Sequence, residues 1–137
     1  MATAFSTWTS EAPLRLAGCG IDAEQLDRFQ KFADGARPWP FVYSDREIAH
    51  NRSLPWPAAG FCAAFCCKEA LYKALSAPYT FTECEVLAEW ESEAPRLLLS
   101  SSLCEKRNIS GASVHLHWTP WRECVAEVHV FIGNAGA

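Results

Sequence analysis

Apolar residues in this chain fall into short runs with two different periods, and the longest of these stretches is helical. From about Ala58 to Leu75 the residues are mostly good helix formers and apolar on nearly every face, the pattern of a helix that is largely buried. Any chemistry it carries is confined to a narrow stripe. Leu14 to Asp22 reads as a strand, and Ala23 to Ala33 as a helix with Leu26, Phe29 and Phe32 turned inward, stopped near Gly35. Arg37-Pro38-Trp39-Pro40 and Pro55-Trp56-Pro57 break the chain, because proline disfavours helix at the residue before it. Between them, Ser44 is placed to cap a short helix to about Asn51, with Glu47 completing a capping box. Thr80 to Trp90 and Leu97 to Leu99 read as strands, and Ser101 to Arg107 as a short helix. Ser113 to Trp118 and Cys124 to Ile132 look like an antiparallel pair, with Val128, Val130 and Ile132 spaced at two. Strand, helices, then several strands is the order of an α+β domain, here an antiparallel sheet packed on one long buried helix. Residues 14–137 show no repeat or linker and are expected to form one domain. Residues 1–13 are small and polar and are expected to be frayed, with Trp8 as a docking contact.

Composition narrows the class. A chain of 137 residues with 50% hydrophobic content can build one real core. No apolar run approaches the ~20 residues of a membrane span, and the N-terminus lacks the order of a signal peptide, so a cytoplasmic protein is expected. Seven cysteines, two of them adjacent at Cys66-Cys67, fit reduced thiols better than a disulfide framework. A net charge of −4 argues against nucleic acid as a partner. The charge is uneven: residues 1–75 carry eight basic and eight acidic side chains, residues 76–137 four and eight. Arg28, Lys31, Arg37, Arg46 and Arg52 cluster in the N-terminal half as a local basic patch.

The candidate chemistry lies at two places. Asp22 closes the first strand, where a carboxylate tends to face a cleft, and Glu69 and Lys73 stand four apart on one face of the main helix, with Lys68 pointing elsewhere. Few, hard oxygen ligands joined by substrate phosphate are what Mg²⁺ uses. Taken singly, Asp22 also suits a helix N-cap, and Glu69 with Lys73 an ordinary ion pair. Cys62, Cys66, His115 and His117 offer a competing Zn²⁺ set, disfavoured because short Cys-x-x-Cys knuckles are missing and free cysteine is an ordinary core residue.

Gly20-Ile21-Asp22, then Arg28-Phe29, then Phe65-x-x-Lys68-Glu69-Ala70-x-x-Lys73-Ala74-Leu75 resembles the 4′-phosphopantetheinyl transferases, most closely their small, single-domain holo-(acyl-carrier-protein) synthase type. The likeness runs from about Gly18 to Val130, and Phe81 to Val86 with Pro95-Arg96-Leu97 resembles the hairpin after that family's main helix. It implies the 4′-phosphopantetheinyl transferase fold. It also implies transfer of 4′-phosphopantetheine from coenzyme A to a serine of an apo-acyl carrier protein of fatty-acid or polyketide type, with release of 3′,5′-ADP. Mg²⁺ would sit on Asp22 and Glu69, Lys73 would neutralise phosphate, and Lys68 would lie partly exposed near the cofactor's phosphates. Glu24 occupies the place of an extra metal-binding acid in larger relatives, so it is either a third ligand or a surface residue. Glu69 or a metal-ordered water would take the serine proton. Arg28, with Lys31 beside it, would dock the acidic carrier. The family's cofactor-contacting Ser/Thr-His pair falls in Ser113 to Thr119, on Trp118 or, after a one-residue shift, on His117. A homotrimer with coenzyme A between subunits is expected. The alternative is a degenerate module that binds coenzyme A or carrier protein without transfer.

Overall fold

A computed structural model describes residues 2–4, 13–87 and 95–133. In chain order the elements are β1 (Ala2–Ala4), β2 (Leu14–Gln25), a 3₁₀ turn (Leu26–Phe29) leading into α1 (Gln30–Ala33), α2 (Asp45–Ser53), α3 (Pro57–Leu75), a second 3₁₀ turn (Phe81–Glu83), β3 (Cys84–Leu87), β4 (Arg96–Ser100), α4 (Ser101–Arg107), β5 (Gly111–Trp118) and β6 (Glu123–Gly133). They form two three-stranded antiparallel sheets, ordered β2–β6–β5 and β1–β4–β3. The α+β expectation and the long buried helix are both observed.

The helix α3 packs mainly on β2 and β6 and also touches β3. Its start is set by Pro57, whose missing N–H costs nothing in a first turn, and its end by Ser76 in the left-handed region (φ 54°). Gly18 and Gly20 let it approach β2. A Cβ at Gly18 would strike the Ala74 carbonyl, and one at Gly20 the Ala70 carbonyl. Along β2 the positions facing α3 are therefore 18, 20, 22 and 24, while Cys19, Ile21 and Ala23 face out.

Three sequence expectations change. The first strand continues past Asp22 because its partner does: Ala23, Glu24 and Gln25 still pair with Val125, Cys124 and Glu123. The following helix thus begins at Leu26 instead of Ala23, and Asp22 is a strand residue, not an N-cap. At the N-terminus, Ala2–Ala4 pairs with Leu98 to Ser100 of β4 where fraying is expected, since β4 otherwise leaves an open edge; Trp8 lies outside the described residues. Within Thr80 to Trp90, the strand is Cys84–Leu87 only, because Thr80 and Glu83 form a capping box that turns Phe81–Glu83 into 3₁₀ helix. Residues 88–90 lie outside the described part. The Ser44–Glu47 capping box of α2 is present as expected.

An aromatic cluster fills the space between α1, α3 and the loop after α1. Phe32 meets Trp39 edge-on at 4.9 Å between centroids, Phe61 at 5.6 Å and Tyr43 at 6.0 Å, spacings at which ring edges and faces attract. Among the described residues, no helix is long and apolar enough to cross a membrane.

Candidate active site

The inward alternation of β2 carries Asp22 and Glu24 to the sheet face that α3 covers, and α3 holds the strand there through its cysteines. Cys66 Sγ donates to the Asp22 carbonyl (3.2 Å), and Cys62 Sγ, one turn earlier, to the Glu24 carbonyl (3.7 Å). Both thiols are buried. His115 and His117 stand on the opposite, solvent face of the other sheet edge, 6.2 Å apart. The four residues of the Zn²⁺ alternative therefore lie on two sides of one sheet and share no ion. The two helix cysteines are positioning groups, a role the sequence does not announce beside the core and Zn²⁺ readings; their i,i+4 spacing is the signal that they address one strand.

Asp22, 9% exposed, is the centre of the site. Lys73 reaches across from α3 and donates to Asp22 Oδ1 (2.9 Å) and to the Ile21 carbonyl (2.9 Å). Asp22 Oδ2 is buried with no donor. Glu24 accepts from Arg28 Nη1 at 2.8 Å. Its carboxyl is nevertheless pushed up to about 7, first by burial and then by a hydrogen bond and charge from Asp22, against the pull of Arg28. That hydrogen bond exists only when one of the two carries the proton, so with both ionised Asp22 Oδ2 remains orphaned. Glu69, half-buried one turn before Lys73, is also raised, by burial and then by Asp22, with Lys73 and Arg28 opposing. Lys73 is raised above the usual lysine value chiefly by its hydrogen bond to Asp22. Asp22 thus disfavours the charged form of both neighbouring acids, although the three do not converge to within 4.8 Å as a closed set. A buried carboxylate oxygen without a donor, flanked by two acids with raised pKa values, is an environment that a hard divalent cation satisfies.

The other predicted residues fall into two groups. Lys68 is not near this site. It is fully buried on another face of α3, where Nζ donates to Glu47 Oε1 (2.7 Å) and to the Val42 carbonyl. The expectation of a partly exposed lysine beside the cofactor's phosphates is corrected: position 68 is turned about 100° from 69 and about 140° from 73, into the core. Arg28 does border the site, with its guanidinium 5.2–5.7 Å from the rings of Phe29, Trp39 and Phe65. Lys31 lies over Phe32 and Trp39 at 5.3–5.4 Å. Glu69, Arg28, Trp39, Phe65, Tyr79 and Phe81 line an open cavity of about 500 Å³ that is mostly apolar.

Trp118 and His117 separate by face. The inward positions of β5 are 112, 114 and 116, which gives Trp118 the inner face; it stacks on Trp56, just before α3, at 6.5 Å. Trp118 pairs with Cys124, which pairs with Glu24, so all three share one end of the sheet. His117 is on the outer face.

These features fit the proteins this chain is similar to. The family model of the 4′-phosphopantetheinyl transferase superfamily matches residues 18–122. A curated relative, the holo-[acyl-carrier-protein] synthase of Myxococcus xanthus, is 32% identical over 107 residues, covering 76% of this chain and 85% of that protein. Among solved structures, the holo-[acyl-carrier-protein] synthase of Neisseria meningitidis superposes with a TM-score of 0.70 at 18% identity, covering 85% of this chain and 98% of that one. The Helicobacter pylori holo-[acyl-carrier-protein] synthase, solved in complex with coenzyme A, superposes with a TM-score of 0.63 at 22% identity, covering 82% and 98%. With more than half its length matched, and its acids and lysine gathered where β2 meets α3, the chain belongs to the 4′-phosphopantetheinyl transferase superfamily.

Proposed function

We propose that this protein transfers 4′-phosphopantetheine from coenzyme A to a serine of an apo-acyl carrier protein, releasing 3′,5′-ADP, and that Asp22, Glu69 and Lys73 carry the reaction. The observation that supports this reading best is Asp22 itself: one oxygen held by Lys73, the other buried without a donor, at the position that the family motif specifies. Mg²⁺ fits here, held by Asp22 and Glu69 with Glu24 as a further carboxylate, and when bound it would offset the pyrophosphate's charge and the charge that develops at the attacked phosphorus. Lys73, its side chain half-exposed and its Nζ held by Asp22 Oδ1 and the Ile21 carbonyl, keeps a positive charge beside the same space. Glu69 or a metal-ordered water would receive the serine proton. The apolar cavity beside Glu69 offers a wall to the pantetheine arm, with Arg28 in its lining and Lys31 over the neighbouring Trp39 to meet the acidic carrier. Trp118, on the sheet face of Glu24, is the better of the two cofactor-contact positions.

A homotrimer that shares coenzyme A between subunits belongs to this reading; Leu16 and Ile21, each 54% exposed, are surface of the kind such an assembly covers. So does a cytoplasmic location, which suits seven free thiols. The test is incubation of the protein with apo-acyl carrier protein, coenzyme A and Mg²⁺, followed by mass spectrometry of the carrier. A gain of one phosphopantetheine is expected. Binding of carrier or coenzyme A with no mass gain would make the protein a non-catalytic module.

A further inference from the structure

Trp118 and Trp56 present aromatic faces at the end of the sheet where β2 carries Glu24. Their rings are near-parallel, 16° between planes, with centroids 6.5 Å apart. That separation is near the long end of the about 4.5–7 Å over which ring pairs attract, so the two indoles do not cover each other fully. Each keeps open surface: Trp118 is 37% exposed and Trp56 44%. Both are fixed through the backbone. Trp118 ends β5 in register with Cys124, and the hairpin beyond it is closed by the Thr119 N–H donating to the Glu123 carbonyl (2.8 Å). Trp56 stands between Pro55 and Pro57, whose rings restrict the chain on either side just as α3 begins. A pair held in this way loses little freedom when a flat ring is laid on it. With neighbouring strands about 4.8 Å apart, the Trp118 backbone lies about 10 Å from that of Glu24 across β6, and both side chains take the inner side of the sheet.

We infer that Trp56 and Trp118 form an aromatic seat for the adenine of coenzyme A, an inference that rests on the transferase reading above and adds Trp56 to the site. Coenzyme A has a pyrophosphate at its middle, a pantetheine arm on one side and an adenosine on the other. With the pyrophosphate at Asp22 and Glu69 and the pantetheine arm against the apolar cavity, the adenosine extends elsewhere, and neither indole belongs to that cavity's lining. The span from Glu24 to the indole pair is of the order that separates a nucleotide's 5′-phosphate from its base. A purine offers a π face to an indole whatever the substituents on its edge. The adenine also stays on 3′,5′-ADP, the leaving product, so the seat holds substrate, transition state and product alike. Such uniform binding lowers KM and leaves the barrier of the bound complex where it was.

The test is calorimetric titration of 3′,5′-ADP, and separately of coenzyme A, into the full-length chain with Mg²⁺. Trp56→Ala and Trp118→Ala should each weaken both ligands about 5- to 150-fold, the effect of one stacked base, and Trp56→Phe should recover most of the loss. In the transfer assay, kcat/KM for coenzyme A should fall by the same factor through KM alone, whereas a merely structural role would lower kcat and the melting temperature. An unaltered chain that binds neither ligand would overturn the transferase reading and the seat together. An unaltered chain that binds both, beside a folded Trp56→Ala or Trp118→Ala protein of equal affinity for 3′,5′-ADP, would overturn the seat alone. If a variant fails to fold, nuclear magnetic resonance of the unaltered chain decides: the adenine ring protons of bound 3′,5′-ADP should show Overhauser contacts to the indole protons of Trp56 and Trp118, and their absence would overturn the inference.

Discussion

Two lysine–carboxylate pairs leave α3 five residues apart, and they differ in almost everything except composition. Lys68 and Glu47 are both completely buried and completely satisfied: Lys68 also donates to Val42, and Glu47 accepts from the backbone N–H groups of Ser44 and Val86 at 3.0 Å each. Lys73 and Asp22 are 50% and 10% exposed at their side chains, and one Asp22 oxygen is left without a donor. A sealed, fully bonded pair has nothing to offer a ligand and specifies how α2, α3 and β3 fit together. A half-open pair with an unsatisfied oxygen is poised to bind. Position on the helix, not residue type, separates structure from function here.

The largest expected effect is on stability at the sealed pair. Glu47→Ala or Lys68→Ala should lower stability by about 3–5 kcal/mol, because either change strands a buried charge. The double variant Lys68→Met with Glu47→Leu should recover only part of this, since Glu47 also caps Ser44 and Val86. Denaturant melts measure it, and an unmoved midpoint with a raised coenzyme A requirement would return Lys68 to the cofactor site. Lys73→Ala should do the reverse. Its stability change should be smaller than at the sealed pair, because half of the Lys73 side chain is already in solvent, while kcat/KM for transfer falls by roughly 10- to 100-fold through lost charge stabilisation.

A smaller effect separates the pairs by pH. The Glu24 carboxyl is raised in the fold from 4.5 to about 7, so the native state favours its protonated form. That contribution is fully present below the unfolded value and is lost as pH rises through the folded one. The melting temperature of the metal-free protein should therefore decline across this window, and Glu24→Gln should flatten the slope; an equal slope in both would show that Glu24 is not the group responsible. The smallest effect is expected at the rim. Arg28→Glu should weaken carrier-protein use about tenfold in a salt-dependent manner and leave coenzyme A affinity unchanged. Equal loss of both affinities would make Arg28 a cofactor residue.

Much of this contrast is legible in the sequence. Gly20-Ile21-Asp22 and the Glu69–Lys73 spacing locate the half-open pair, because helical periodicity and strand alternation are local properties that a single chain displays. What is not legible depends on partners distant in sequence. Lys68 meets Glu47 from 21 residues away, and Glu47 already has a local role as a capping residue, so nothing near either residue announces the pair. Glu24 joins the site because β6 continues to Glu123 and prolongs β2, which only the pairing register reveals. The close approach of α3 explains Gly18 and Gly20 in retrospect, through carbonyls 50 or more residues away.

The claim that Asp22 is a metal ligand is tested most directly by Mn²⁺ binding, followed by electron paramagnetic resonance in the presence of coenzyme A. The unaltered protein should hold one Mn²⁺ per chain, released by excess Mg²⁺. Asp22→Asn, which keeps the shape and the melting temperature but removes the charge, should lose it. Undiminished Mn²⁺ affinity in a folded Asp22→Asn protein would contradict the assignment.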